Sequence, residues 1–364
     1  MVNFSRKKRQ PLNEDKCVIL PINVPAGMAI PVLYVNGHQM KSCDKAKYLG
    51  DIFNAKGNNN DLINDRVAKG MMSMICCMAL VSEITLGAFL ITTLISLHKI
   101  MFIPVVTFGS GAWDNLTKSH LLKLRTVQLK FLKRIVHTPT STSNCFTFLE
   151  MGVLPIEFSI RINQLQFLHH ILKLSDDDPV KICYYQQGLF EYEKNWFNEV
   201  QNLRKQFGIV LTGHQIMDLS KERWKTIVHL KVRDFALKGL NDELCQQLKT
   251  AHLPPFQCFK SQEYFNFLSA ADSRLFFAIR SGTVDIKSLR KFNYDDGDTL
   301  CRLCGGADET LEHIVNQCGM VNRCYEIEDI FSVDKDNVLE VVSRLKEFQK
   351  SSEDSKRDCN GQVK

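Results

Sequence analysis

Residues 301–318, CRLCGGADETLEHIVNQC, constrain how this chain can fold more than any other stretch. Cys301, Cys304, His313 and Cys318 stand in the spacing C-x2-C-x8-H-x4-C. Two cysteines separated by two residues can turn both sulfurs toward one ion. Gly305-Gly306 directly after them suits that turn, because glycine accepts positive φ without steric cost. Glu309–Gln317 can form a short helix that presents His313, and Cys318 then closes the site from the helix end. Three thiolates and an imidazole make a complete tetrahedral set for Zn2+, so the expected role of the metal is structural. In so small a module the binding energy becomes folding energy. Cys324 lies close by as a competing ligand.

The remaining cysteines set the compartment. There are thirteen in 364 residues, an odd number, and their spacing is irregular outside this cluster. The chain opens on Arg6-Lys7-Lys8-Arg9 with no apolar secretory segment. Free thiols inside the cell, nuclear or cytoplasmic, are therefore expected. Cys76-Cys77 sits in an apolar run, which raises a thiol's pKa and lowers its reactivity. A hydrophobic fraction of 45% with 24% charged residues excludes global disorder and fibrous folds. The net charge of +6 permits a nucleic-acid partner without requiring one.

The patterning predicts a mainly α fold. Residues 1–56 read as a short β segment, because Pro21, Pro25 and Pro31 interrupt the apolar run 17–35 and restrict it to edge strands. Asn36-Gly37 signals a turn between strand-like runs, in a loop longer than a tight hairpin if Tyr34-Val35 pairs with Lys47–Phe53. Asn58–Asp61 marks a helix start. Two helical stretches follow, 57–175 and 176–295. The metal module occupies 296–325, and 326–364 is expected to be a polar tail, partly disordered. Gly70–Leu97 holds a single charged residue, Glu83, and reads as one or two buried helices, with no membrane partner expected. His169-His170 lies among apolar residues, so one imidazole packs and the other faces solvent. Asp176–Pro179 reads as a helix-ending loop, with paired catalytic carboxylates as the alternative.

Helix 118–136 carries the clearest binding signal. At 100° per residue, Leu121, Leu124, Gln128, Phe131, Leu132 and Ile135 share one face. Lys123, Lys130 and Arg134 align on the opposite face, with Lys133 nearby, as a phosphate track or a solvated surface. Arg302, inside the metal module, is a further candidate contact to base or phosphate.

Several of these segments together resemble the C-terminal part of non-LTR (LINE-type) retrotransposon reverse transcriptases. The 301–318 cluster is similar to that family's Cys-Cys-His-Cys zinc knuckle, including Glu309-Thr310 shortly before the histidine. Val2–Lys7 looks like the end of the palm. Lys47-Tyr48-Leu49-Gly50 resembles the Tyr-Leu-Gly box, which implies a primer-grip-like role for Tyr48, Leu49 and Gly50. Arg66, then Ile103-Pro104, Phe108-Gly109-Ser110 and Trp113, resemble the thumb signature, and Lys133–Ile135, Leu154–Ile156 and Arg280-Ser281-Gly282 continue the order. The resemblance covers roughly residues 1–320. It implies an end of palm, a helical thumb, a helical linker and a knuckle, from a parent that carries out target-primed reverse transcription with Mg2+.

The family's three catalytic aspartates lie N-terminal to the segment that matches residues 2–7. No catalytic residue is therefore expected in this chain, nor any polymerase activity from it alone. Tyr294-Asp295-Asp296-Gly297 is similar to a polymerase turn only superficially, since it lies directly before the knuckle; it reads as a polar linker. No Pro-Asp with a spaced Asp/Glu-x-Lys set follows Cys318, so no endonuclease is expected. The implied partners are RNA and DNA, as a primer–template duplex, and a protein that carries the palm. The alternative is a domesticated zinc-knuckle protein that scaffolds other proteins.

Overall fold

Short side chains that bond their own backbone start most of the helices. The side chains of Thr117, Ser143, Asp178, Asn195, Thr212, Ser220 and Ser269 each accept a backbone N–H two or three residues on, satisfying a donor the helix leaves open. The computed structural model describes residues 13–25, 27–82, 90–190, 194–250, 253–289, 299–318 and 330–361. Among the described residues, besides one short turn at Ile103–Val106, the α-helices are α1 (Asn60–Ser82), α2 (Leu90–Leu97), α3 (Lys118–Ile135), α4 (Asn144–Glu150), α5 (Ile156–Leu172), α6 (Pro179–Leu189), α7 (Trp196–Gln206), α8 (Gly213–Asp218), α9 (Lys221–Cys245), α10 (Tyr264–Phe267), α11 (Ala270–Arg280) and α12 (Lys335–Gly361). The fold is mainly α, as the patterning predicts. The metal module lies between α11 and α12. Val2–Lys7, Arg6–Arg9, Glu83, Tyr294–Gly297 and Cys324 lie outside the described residues.

Among the described residues, strands are confined to the N-terminal segment, in three separate pairs. β1 (Val18–Ile19) runs parallel to β4 (Lys41–Ser42), β2 (Tyr34–Val35) antiparallel to β3 (His38–Gln39), and β5 (Lys45–Tyr48) antiparallel to β6 (Asp51–Asn54). The Asn36-Gly37 turn is tighter than expected: both residues have positive φ and the chain folds straight back onto His38–Gln39. Little of this segment is buried. Val24, Met28, Val32, Leu33 and Tyr34 stay exposed despite their apolar character.

Among the described residues, two hydrophobic clusters form the interior, and they do not follow the chain in order. The first takes residues from 62–160, leaves the chain, and resumes over 240–348. The second is built from residues 162–232. α9 belongs to both. Its Trp224, Val228 and Val232 pack in the second cluster and its Leu240 and Leu244 in the first. Residues 335–361 are helical, where a partly disordered tail was expected. Val338, Val341, Val342, Leu345 and Phe348 supply the reason, for they form a helical apolar stripe that is buried in the first cluster. Among the described residues no helix is long and apolar enough to cross a membrane.

Candidate metal centre and basic face

The turn that opens the metal module is tied by its own backbone. Cys301 N–H donates to Ala307 O (2.8 Å), Gly305 N–H donates to Cys301 O (2.9 Å), and Gly305 takes the positive φ the turn requires. Thr310 then caps the next helical turn by accepting the His313 N–H at 3.0 Å. That turn is wide, a π-helix over His313–Gln317 in which Cys318 N–H donates to His313 O at 2.8 Å. In an α-helix a residue five positions on points about 140° away. The i→i+5 closure of the π turn brings Cys318 back to the side of His313.

The ligand atoms of Cys301, Cys304, His313 and Cys318 consequently lie within 4.8 Å of one another. Cys301 Sγ and Cys318 Sγ are 3.7 Å apart, and Cys304 Sγ lies 3.2 Å from His313 Nε2. A tetrahedral ion with bonds of about 2.3 Å to sulfur and about 2.0 Å to nitrogen sets sulfur pairs about 3.8 Å apart and sulfur–nitrogen pairs about 3.5 Å apart. The residues therefore fit a bound metal ion. A disulfide needs about 2.05 Å, and these cysteines are free. Cys301, His313 and Cys318 are buried while Cys304 is exposed. Burial, reinforced by the neighbouring sulfurs, pushes the Cys318 thiol up to about 12, whereas the Gly306 N–H holds Cys304 below the usual thiol range.

Glu309 is the residue whose role spacing alone does not reveal. It is fully buried, and its carboxylate accepts from Lys287 N–H (2.9 Å), Arg302 N–H (3.0 Å) and the Arg302 side chain (Nη2 at 2.6 Å). Burial alone raises its pKa, but Arg302 and these backbone donors more than offset that and hold it below the usual carboxylate range. This pair corrects the expectation for Arg302. Its guanidinium is spent on Glu309 and on Asp285 O (2.9 Å) and lies over the Phe348 ring of α12, so it braces the module instead of facing a ligand. α12 reaches back through Arg344, which donates to Val315 O at 2.6 Å.

On α3, Lys123, Lys130 and Arg134 are exposed and share one side, and Lys123 donates to Asn64 Oδ1 of α1 at 3.0 Å. Lys133 differs from the expectation. It is buried, and its ammonium donates to Thr140 O (2.7 Å), Thr142 O (2.6 Å) and Asn144 Oδ1 (2.8 Å). Two carbonyls of the following loop and the first residue of α4 use up its three protons.

Tyr48, Leu49 and Gly50 form the tip of the β5–β6 hairpin, whose turn residues Leu49 and Gly50 both have positive φ. Leu49 is 79% exposed and Tyr48 67%. A leucine at positive φ is uncommon and costly. The tip is held from below by Arg66, which donates to Gly50 O (3.1 Å), pairs with Asp51 and lies 4.9 Å from the Phe108 ring centre. Gly109 has positive φ, and a Cβ there would sit 2.4 Å from Asp51 Oδ2. Segments 48–51, Arg66 and 108–109 thus meet at one place. His169 is buried, stacks on Trp224 and bonds Leu219 O at 3.1 Å, while His170 is exposed. Asp178 caps α6 through Val180 N–H. The chain finds no match among family models, curated proteins or solved structures.

Proposed function

We propose that this chain is a zinc-containing nucleic-acid-binding protein, equivalent to the end of palm, thumb, linker and knuckle of a non-LTR reverse transcriptase. The observation that carries the reading is the four-ligand cluster, whose sulfur and nitrogen spacings suit tetrahedral Zn2+ with no coordination position left open. In this reading Cys301, Cys304, His313 and Cys318 hold the ion, which supplies structure and no chemistry to a substrate. Further support comes from the meeting of the 48–51 tip, Arg66 and Phe108-Gly109, the segments that carry the resemblance. Lys123, Lys130 and Arg134 supply the exposed cations that track phosphates, and the proposed role is to hold a primer–template duplex, not to extend it. In the same reading Mg2+ and nucleotide chemistry belong to a polymerase palm carried by a partner.

A second reading, a scaffold for partner proteins, draws on the exposed apolar residues of 18–34.

Two measurements separate these readings. Chain purified without chelator should carry one zinc per molecule by elemental analysis; a metal-free, folded chain refutes the zinc assignment. Duplex affinity should fall steeply with salt, and Lys123→Ala/Lys130→Ala/Arg134→Ala should reduce the log–log slope by about 2–3. A chain with no affinity for RNA or DNA at low salt leaves the scaffold reading alone.

A further inference from the structure

α9 carries a second basic site that the knuckle and the α3 stripe do not use. Lys225, His229 and Arg233 are spaced i, i+4, i+8, so they form one stripe about 12 Å long on its surface. The stripe forms one wall of a cavity of about 470 Å³, and Phe259, from the segment after α9, stands in another. Leu230 and Leu237 add apolar surface to the same cavity, and Asp234 contributes a carboxylate. The volume lies within the range of about 300–1,000 Å³ common to small-molecule sites. Phe259 is half-buried and packs against the first hydrophobic cluster at the cavity's edge.

The cations here are crowded, with the Asp234 carboxylate lining the same cavity. Burial, then the charges of Arg233 and Lys225, lower the His229 pKa. Burial and the Arg233 charge also lower that of Lys99, which approaches from the π turn after α2. His229 Nε2 meets the Gln166 side chain at 3.2 Å, which fixes its ring. Among the described residues, no acid lies in ion-pair contact with Lys99, Lys225 or Arg233. Several cations beside a concave apolar surface leave room for one missing component, an anion with a flat apolar part.

The geometry points to a nucleotide-binding pocket in which His229 and Arg233 hold one phosphate, Lys225 the next one along, and Phe259 stacks on the base. Leu230 and Leu237 cover the base edges, and Asp234 accepts from a ribose hydroxyl or an exocyclic amine. The nucleotide is a unit of a single strand, because the cavity is open and the stripe continues along the helix beyond one phosphate. In naming a strand the inference rests on the nucleic-acid reading above; the pocket chemistry itself does not.

Two ligands distinguish these sources: a single-stranded oligouridylate followed by fluorescence anisotropy, and uridine monophosphate followed by calorimetry. Lys225→Ala/Arg233→Ala should weaken oligouridylate binding about tenfold or more and reduce its salt slope by about 1.4, two single-strand contacts. The same loss should appear on the Lys123→Ala/Lys130→Ala/Arg134→Ala background. Phe259→Leu, which keeps the ring's apolar packing, should weaken binding about fivefold or more with the salt slope unchanged. A strand with one photoactivatable 4-thiouridine should cross-link to the peptide containing Phe259.

Strand binding that the pocket variants leave intact, or cross-links confined to α3, overturns the pocket while the nucleic-acid reading stands. Binding of uridine monophosphate alone, lost in Arg233→Ala, keeps the pocket and removes its strand. Absence of binding by both ligands overturns the pocket, while the duplex reading stands or falls on its own salt titration. Arg233→Lys, which retains the charge, controls for a change in folding.

Discussion

His98 offers a measurement in which one buried ring reports on the whole first core. Its imidazole is fully buried between Phe102, stacked at 5.0 Å, and Phe131, edge-on at 5.4 Å, and neither ring nitrogen has a partner. Burial, with Lys99 adding to it, lowers its pKa to about 3. In the unfolded chain the same group titrates near 6.5, so as pH falls the unfolded state takes up a proton that the native state refuses. The stability tied to the neutral ring is complete above about pH 6.5 and declines as pH drops toward about 3. From the two pKa values the loss is about 2 kcal/mol between pH 7 and pH 5, and about 5 kcal/mol once both states are protonated. His98→Phe keeps the aromatic stack and removes the titration; His98→Leu does so with a smaller side chain. Urea unfolding of the three proteins at pH 7 and pH 5 isolates the effect, because every other titrating group is common to them. The wild type should lose about 2 kcal/mol more than either variant over that interval, whatever the substitutions do to stability at pH 7. Equal losses in all three would show that His98 is hydrated or paired, and the argument would fall.

Other substitutions test the buried polar groups. Glu309→Gln puts an amide where Arg302 and the Lys287 N–H need an acceptor, and should cost about 3–5 kcal/mol and speed zinc release to a chromogenic chelator. Glu150→Gln breaks a pair that is bidentate and buried on both sides, with Arg280 at 2.6 and 3.1 Å, and should cost a similar amount of about 3–5 kcal/mol in thermal unfolding. Lys260→Ala, which removes an exposed pair with Glu263, should leave the unfolding midpoint where it is. Lys133→Met should destabilise the fold by stranding three acceptors yet leave the salt slope of nucleic-acid binding unchanged, in contrast to Arg134→Ala.

What the sequence discloses here depends on how local the deciding contact is. The four metal ligands span eighteen residues, and a turn, a cap and one widened helical turn bring them together, so their spacing was informative. The faces of α3 were legible for the same reason, since 100° steps alone separate Leu124 and Phe131 from Lys130 and Arg134. Lys133 lies at the border between those faces, and carbonyls at 140 and 142 decide its fate after the chain has turned. Arg302 is captured by Glu309 and by the ring of Phe348. Neither partner is implied by its neighbours in sequence. The α12 stripe was present as Val338, Val341, Val342, Leu345 and Phe348, but the charges between these residues masked it. The Leu49-Gly50 turn breaks propensity outright, for leucine disfavours positive φ, and only the support from Arg66 and Phe108 accounts for it.

The buried residues of α9 explain both the interleaved cores and the position of the basic cavity. Trp224, Val228, Val232, Ala236, Leu240 and Leu244 recur at every fourth residue. Four residues turn an α-helix through about 400°, so each step drifts by about 40° and the stripe winds through about 200° from Trp224 to Leu244. A helix buried along such a stripe presents its two ends to nearly opposite sides. One continuous helix can therefore close the second cluster with its first half and return the chain to the first cluster with its second. Lys225, His229, Arg233 and Leu237 each follow a buried residue by one position, and so lie about 100° from the buried stripe along its whole course. That angle is the rim between core and water, where His229 is half-buried and Lys225 and Arg233 remain open to an anion. The four-residue spacing that joins the two cores thus also sets the cavity wall, and a substitution that re-phases the stripe would disturb both together.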